Sequence, residues 1–261
     1  MKKLIVTNKY NEKKLSKLVL DSYPSLSLNT FYKTLRQKDI KINGNRINKD
    51  CIIFTNDEIL IYISDNLLFP ELEIIYEDNN VLIINKPINI EVTGDNSLTS
   101  LVHSKYATSV FLPMPCHRLD RNTSGLIIFA KNEYVQECLI KQMQDNTFQK
   151  YYIAFVEGTF TDKEGIINLP IARKENSIIE RCISPSGQEA ITDYVIIDEF
   201  DSFSIVKCHL QTGRTHQIRV HMSAIGHPLL GDTLYGNSSN LINRQALHSY
   251  KISFVHPVTN Q

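Results

Sequence analysis

The ten residues from His117 to Leu126 (HRLDRNTSGL) place one carboxylate between two guanidinium groups, directly before an apolar segment. Positive neighbours favour the ionised form of a carboxylate, so we expect Asp120, between Arg118 and Arg121, to be anionic at neutral pH. Such a group serves as a nucleophile or a base rather than as a general acid. An isolated aspartate in this setting could equally cap a turn. The motif therefore names a candidate whose role depends on its neighbours.

A second segment, Lys150 to Gly158 (KYYIAFVEG), predicts a strand because it is rich in aromatic and β-branched residues. Successive side chains of a strand face opposite sides, so only one of Tyr151 and Tyr152 can enter a given pocket. A phenol ring can stack on a nucleobase while its hydroxyl binds polar groups. Without other motifs, an ordinary core tyrosine would be the favoured interpretation.

A third segment, Leu210 to His221 (LQTGRTHQIRVH), predicts a helix from His216 to Ile225 that is closed by Gly226. Its apolar side chains fall on one arc: Ile218, Met222 and Ile225. The other side carries polar residues: His216, Arg219 and Ser223. We expect the helix to bury the apolar stripe and to leave Arg219 free to point at a site.

These three segments resemble motifs of the RluA-type RNA pseudouridine synthases, which match HRLDxxTSGL, K-x-Y-x-A-x-V-x-G and HQIR. The resemblance implies that Asp120 is the catalytic residue, that Tyr152 is the active-site tyrosine and that Arg219 pairs with Asp120. It also implies that the reaction needs no cofactor. The basic and imidazole side chains of the motifs become candidate RNA contacts: Arg118, Arg121, Lys150, Arg214 and His216.

The resemblance extends from about Leu72 to the end of the chain and includes EDNNVLIINKP and RQALHSYKISFVHP. Two departures are visible. The segment from Ile88 to Gly94 lacks the V-V-H-P run that is common in the family, which affects substrate contacts rather than chemistry. The sequence also stops soon after FVHP, where many relatives continue a little further.

Charge is strongly segregated along a chain whose formal net charge is zero. Residues 1–64 carry a net charge of +6, from 12 Lys and Arg against 6 Asp and Glu, and the remainder carries −6. This head also contains two short helical patterns and an Asn-Gly hairpin (IKINGNRI), and it resembles an S4-type RNA-binding module. Its exposed cations are candidate phosphate contacts: Lys33, Arg36, Lys38 and Arg46.

The element pattern predicts an α+β protein: residues 1–64 form the RNA-binding domain, 65–70 a linker and 71–261 the catalytic domain. We expect the catalytic domain to hold a large mixed, mainly antiparallel sheet with flanking helices. The predicted strands are 72–76, 81–85, 125–130, 151–156, 190–197 and 203–210. The predicted helices are 98–106, 133–143 and 216–225.

Several function classes are disfavoured by what the sequence lacks. It contains no apolar run of about 18 residues or more, no CxxC pair among its 5 cysteines, and no phosphate-binding glycine loop. Four histidines lie near the third segment without metal-ligand spacing, so we expect no metal. We therefore expect a cytoplasmic monomer whose partner is ribosomal or transfer RNA. Two rivals stay open: a non-catalytic RNA-binding protein and a metal-dependent hydrolase.

Overall fold

The computed structural model describes residues 1–23, 26–63 and 72–261. The chain forms two compact units, Met1–Leu72 and Glu73–Gln261. The predicted linker at 65–70 lies outside the described residues. Within the described ranges, no helix combines the length and the apolar character that crossing a membrane requires.

The first unit combines two helices with a small antiparallel sheet. The helices are α1 (Leu15–Ser22) and α2 (Leu28–Arg36), and a 3-10 turn (Asn8–Tyr10) precedes them. The strands are β1 (Lys2–Ile5), β2 (Lys13–Lys14), β3 (Ile40–Ile42), β4 (Asn45–Ile47), β5 (Ile52–Ile53) and β6 (Glu58–Ile61). Four strands form a sheet in the order β1-β6-β3-β4, and β2 pairs with β5. The predicted helices and hairpin are present, and β1 is an additional strand that pairs with β6.

A single apolar core holds this unit together. Side chains from both helices meet side chains of the sheet, and the fully buried ones include Leu15, Val19, Phe31, Ile40, Ile59 and Ile61. Burying one such side chain contributes about 1.5 to 3 kcal/mol. The hairpin turns at Asn43 and Gly44, both with positive φ, which is the conformation that an Asn-Gly turn supplies.

The second unit contains eleven strands within the described residues. They are β7 (Glu73–Glu77), β8 (Val81–Lys86), β9 (Met114–Pro115), β10 (Ser124–Ala130), β11 (Gln149–Glu157), β12 (Glu164–Asn168), β13 (Ile171–Arg173), β14 (Arg181–Ile183), β15 (Ile191–Glu199), β16 (Phe203–Leu210) and β17 (Leu247–Ser253). Its helices are α3 (Leu98–Lys105), α4 (Glu133–Gln144) and α5 (Gln217–Ala224). The predicted α+β class is confirmed.

Nine of these strands form one mixed sheet in the order β12-β15-β16-β11-β17-β10-β8-β7, with β9 beside β10. Among the described strands, only β10 and β17 run parallel within it; the other pairs are antiparallel. Near the start of β10, Gly125 (φ +116°) approaches β17 so closely that a Cβ atom would lie 2.2 Å from the Ser249 carbonyl oxygen. Glycine is required there because any side chain would separate the two strands.

The burial of α5 differs from the one-sided burial that the sequence predicts. Residues 217–222 are all buried, with Arg219 7% exposed and His221 fully buried, whereas Ile225 is only partly buried. Polar side chains are tolerated there because they have partners: both ring nitrogens of His221 form 2.9 Å hydrogen bonds, to Thr192 Oγ1 and to the Leu169 carbonyl. The helix is therefore enclosed rather than amphipathic, and Arg219 is not free.

Candidate active site

A cleft of about 800 Å³ opens beside one face of the large sheet. Its walls come from the loop 116–123, the end of α4 with the residues after it, the start of β11, the loop 210–216 and the first turn of α5. Side chains from all three sequence motifs line it, including Asp120, Tyr152 and Arg219. The fold thus collects groups that are about 30 to 100 residues apart in the chain.

Asp120 lies on the loop between β9 and β10, and its side chain is 25% exposed. Its two oxygens face different partners. Asp120 Oδ2 is 3.4 Å from Arg219 Nη1, and Oδ1 is 3.9 Å from His216 Nε2. Both distances are long for hydrogen bonds, so these contacts orient the carboxylate and leave its oxygens able to bind another group.

The flanking arginines do not hold Asp120 as expected. Among the described residues, the ion pairs of this carboxylate are with Arg219 and His216, and neither Arg118 nor Arg121 forms one. The positive charge comes instead from Arg219, which is 99 residues away in the chain. The neighbours in sequence are therefore not the ion-pair partners of Asp120, although Arg118 lines the same cleft.

Lys86 binds the backbone of the loop that carries Asp120. This fully buried side chain donates to the carbonyl oxygens of Pro87, Ile90 and Arg121 at 2.8, 2.9 and 3.1 Å. Burial lowers the pKa of Lys86 to about 7, although the charge of Asp120 acts in the opposite direction. Sequence reasoning missed this residue. Its signal was a lysine that ends an apolar strand, directly before Pro87.

Arg219 is anchored by Asp232. The guanidinium donates to both carboxylate oxygens, from Nε at 2.6 Å and from Nη2 at 2.8 Å, and the Asp232 side chain is 1% exposed. Burial alone would lower the pKa of Arg219, but the hydrogen bonds and charge of Asp232 raise it, with help from Asp120. Asp232 was outside the predicted site, although it ends the GHPLLGD run after the third motif.

Tyr152 lines the cleft, whereas Tyr151 stacks on His209 with ring centroids 4.8 Å apart. The two neighbours thus face opposite sides of β11, as strand alternation predicts. Tyr152 is 5% exposed, and burial followed by the charge of Asp120 raises its pKa above the usual range. The phenol therefore stays protonated at neutral pH.

His216 precedes α5 in the left-handed conformation (φ 59°), and it lines the cleft. Its Nδ1 atom lies 2.8 Å from the hydroxyl of Tyr235, a residue that sequence reasoning missed. The Tyr235 ring also covers the Arg219 guanidinium, with 4.9 Å between the guanidinium carbon and the ring centroid. Tyr235 thus contacts both groups that face Asp120.

The other predicted RNA contacts fall into three groups. Arg118, Lys150, Arg214 and His216 line the cleft, and burial lowers the pKa of Lys150. The Arg121 side chain is exposed and is not part of the lining. The remaining four are exposed side chains of the first unit: Lys33, Arg36, Lys38 and Arg46.

The four histidines near the third motif have separate environments. His209 bonds Asp193 at 2.8 Å, His216 bonds Tyr235, and His227 stacks on Phe160 with ring centroids 3.8 Å apart. His221 is buried with both nitrogens bonded. Among the described residues, no group of three His, Cys, Asp or Glu side chains is placed to hold a metal ion.

The fold resembles that of solved RNA pseudouridine synthase domains. The solved structure of human RNA Pseudouridylate Synthase Domain Containing 1 matches with a TM-score of 0.62 and 28% identity, over 70% of this chain and 78% of that one. The chain belongs to the RNA pseudouridylate synthase family, whose model matches residues 80–224. Family membership makes the protein an enzyme and removes the non-catalytic alternative.

Two relatives extend the match beyond that region. An uncharacterised RNA pseudouridine synthase of Bacillus subtilis, YhcT, is 37% identical over 242 residues, which cover 87% of this chain and 80% of the relative. The ribosomal large subunit pseudouridine synthase D of Pasteurella multocida is 33% identical over 276 residues, which cover 95% and 85%. The second match supports the predicted relation to RluA-type enzymes.

Proposed function

We propose that this enzyme converts specific uridines of structured RNA to pseudouridine with Asp120 as the catalytic carboxylate and without a cofactor. The observation that carries the proposal is the position of Asp120, which is partly exposed in the cleft and faces Arg219, with Tyr152 in the same cleft. Ribosomal RNA is the preferred substrate, because the Pasteurella multocida relative is named for the large ribosomal subunit. Transfer RNA is the alternative.

The reaction demands little from the protein. The bond between the uracil nitrogen and the ribose breaks, the base rotates, and a ring carbon rejoins the sugar with loss of its proton, while the freed ring nitrogen takes up a proton. No electrons or phosphoryl groups are transferred. An ionised carboxylate can assist either by attacking the sugar carbon or by removing a sugar proton, and both routes need Asp120 to reach the ribose.

Tyr152 is suited to stacking on the extruded uracil. Its high pKa argues against the phenolate form, so we assign it as a stacking ring and hydrogen-bond donor rather than as a proton acceptor. Arg219 orients the Asp120 carboxylate. Because Asp232 fixes the guanidinium, Arg219 can direct Asp120 without depending on it for charge balance.

Phosphate contacts are needed to hold the substrate. Extruding a base costs a few kcal/mol, and stacking it on an aromatic ring returns about 1 to 3. Net affinity must then come mainly from cations along the backbone. We assign Arg118, Lys150 and Arg214 at the cleft to this task. The exposed cations of residues 1–64, as an S4-type module, would extend the contact with the RNA backbone.

We also propose that the enzyme is a cytoplasmic monomer.

The test uses unmodified transcripts of the ribosomal RNAs and of transfer RNAs, labelled with tritium at the uridine C5 atom. Forming pseudouridine releases that tritium, so product is counted directly whichever uridine is modified. We expect release in the presence of a chelator and without added cofactor. Release that stops when a chelator is added would contradict the cofactor-free proposal, and absence of release from every transcript would contradict the substrate class.

A further inference from the structure

Tyr235 contacts the two groups that face the catalytic carboxylate and is itself outside the predicted site. Its hydroxyl meets His216 Nδ1 at 2.8 Å, and its ring covers the Arg219 guanidinium. Its backbone is fixed to α5, because Ser223 Oγ donates to the Tyr235 carbonyl at 2.7 Å. One side chain thus holds both donors that Asp120 faces.

The hydrogen-bond roles around the Tyr235 hydroxyl follow from the backbone. The Arg181 amide lies 2.8 Å from the phenol oxygen, and an amide can only donate, so that oxygen accepts. The phenol hydrogen then needs an acceptor of its own. Among the described contacts, the remaining partner of the hydroxyl is His216 Nδ1. If the phenol donates there, Nδ1 is unprotonated and the neutral ring carries its hydrogen on Nε2.

The opposite assignment has two unfavourable consequences. If Nδ1 carried the hydrogen and donated to Tyr235, the phenol hydrogen would lack a partner within the described structure, which is costly for a half-buried group. The lone pair of His216 Nε2 would also face Asp120 Oδ1 at 3.9 Å, a repulsive arrangement. Both arguments favour hydrogen on Nε2.

We propose that Tyr235 is a positioning residue that fixes His216 in the tautomer with hydrogen on Nε2, so that the neutral ring donates toward Asp120 and the ribose beside it. The proposal deepens the function proposed above and rests on Asp120 as the catalytic group. Each Asp120 oxygen then faces an N–H group, with Arg219 Nη1 at 3.4 Å from Oδ2 and His216 Nε2 at 3.9 Å from Oδ1. Tyr235 acts through both and needs no contact with the substrate.

The tautomer matters because His216 is mostly neutral in this setting. Burial lowers its pKa, and the charges that face it are mixed: Asp120, Arg219, Arg181 and Asp232. A protonated imidazole carries hydrogen on both nitrogens and donates from Nε2 whatever Tyr235 does. Only the neutral ring depends on Tyr235, and this difference separates a positioning role from general structural support.

The first measurement needs no RNA. Nitrogen-15 NMR of the full-length protein distinguishes the two neutral tautomers of histidine, and the His216→Gln spectrum identifies the signal by its loss. We expect hydrogen on Nε2 in the wild type and a mixture of tautomers in Tyr235→Phe. A wild-type signal with hydrogen on Nδ1 would overturn the proposal, whatever the variant does.

The second measurement follows tritium release from the transcript that the wild type modifies best, between about pH 5 and pH 8. Tyr235→Phe keeps the ring over Arg219 and removes only the hydroxyl. The hydroxyl is the partner of both His216 Nδ1 and the Arg181 amide. We expect kcat to fall about ten-fold at the upper end, the effect of losing one hydrogen bond that orients His216, with an unchanged Kd for the transcript. The deficit should shrink wherever the falling pH protonates His216, which the nitrogen-15 signal of its ring reports.

Tyr250→Phe is the matched control. Tyr250 packs beside Tyr151, on the side of the sheet opposite to Tyr152, so this variant should keep the wild-type kcat at every pH. In Tyr235→Phe, an equal loss where the nitrogen-15 signal shows His216 neutral and where it shows His216 protonated would indicate structural support alone and would overturn the proposal. A wild-type enzyme that releases no tritium would instead contradict the proposed function, while the NMR result would still decide the tautomer.

Discussion

The carboxylate of Asp232 binds the Arg219 guanidinium at 2.6 and 2.8 Å, whereas the same guanidinium approaches Asp120 only to 3.4 Å. The arginine is therefore a fixed cation whose charge is already compensated. Asp120 can consequently leave it and approach the ribose at a small electrostatic cost. A tight exclusive pair between Arg219 and Asp120 would have made that movement expensive.

Replacing Asp120 by Asn should abolish the reaction and preserve RNA binding. The amide keeps the size of the side chain, but it can neither attack the sugar nor accept a proton from it. We expect pseudouridine formation to fall by at least about 1,000-fold, with a transcript Kd within about two-fold of wild type. Asp201→Asn, on an exposed loop, is the control. Turnover near the wild-type rate would refute the assignment.

Replacing Asp232 by Asn should destabilise the protein as well as slow the reaction. The substitution leaves a buried guanidinium without its counter-ion, and breaking a buried pair from one side costs about 3 to 5 kcal/mol. Urea unfolding measures this loss, and tritium release at a temperature where the variant stays folded measures the rate. Wild-type stability would mean that Asp232 is not the anchor of Arg219.

Replacing Lys86 by Met should disturb the Asp120 loop. The methionine fills a similar volume but leaves the carbonyls of Pro87, Ile90 and Arg121 without their donor. Each unsatisfied buried acceptor costs about 1 to 3 kcal/mol, so we expect lower stability together with a reduced kcat. Lys131→Met, which removes a lysine outside the cleft, controls for the loss of charge. A variant with unchanged kcat would show that the loop carrying Asp120 keeps its conformation without Lys86.

The same residue gives a pH dependence of stability. The pKa of Lys86 is lowered from its usual 10.5 to about 7 by burial, so between these values the unfolded chain binds the extra proton. The contribution of Lys86 to the free energy of unfolding is thus complete above 10.5 and is lost as the pH falls to about 7. The difference in the free energy of unfolding between wild type and Lys86→Met should rise with pH, by at most about 1.4 kcal/mol per pH unit. A flat difference would mean that Lys86 stays charged.

Neutralising the exposed cations of the first unit should weaken the salt dependence of RNA binding. Each phosphate contact contributes about 0.7 to the slope of log K against log salt for single strands. Changing Lys33, Arg36, Lys38 and Arg46 to Gln should therefore reduce the slope by up to about 3. Lys163→Gln, an exposed lysine paired with Glu199, is the control. An unchanged slope in the quadruple variant would exclude these residues as phosphate contacts.

Most of the elements could be predicted from periodicity, and the failures are informative. Within the described ranges, the missed strands are β1, β2, β5, β9, β12, β13, β14 and β17. The strand β17 lies in the middle of the sheet, but its polar residues give no apolar pattern from which a buried strand could be predicted. Ser249, for example, is fully buried, and its burial is tolerated because its hydroxyl donates to the Leu126 carbonyl. The burial of α5 was missed in the same way, since its buried polar side chains find partners that are distant in sequence.

The sequence alone determined which residues are candidates for the chemistry and which local face they take. The HRLD segment singles out Asp120, and strand alternation separates Tyr152 from Tyr151. These are short-range properties, because backbone geometry fixes where a side chain points relative to its immediate neighbours.

The tertiary structure decided which groups surround Asp120. Packing, and not sequence proximity, places Arg219 and His216 beside Asp120 in place of Arg118 and Arg121, and of these only Arg219 was expected, from the family resemblance. It also supplied Lys86, Asp232 and Tyr235, which join elements far apart in the chain. Charges and hydrogen bonds act through space, over a few ångströms, so the partners of a side chain are settled only when distant segments pack together.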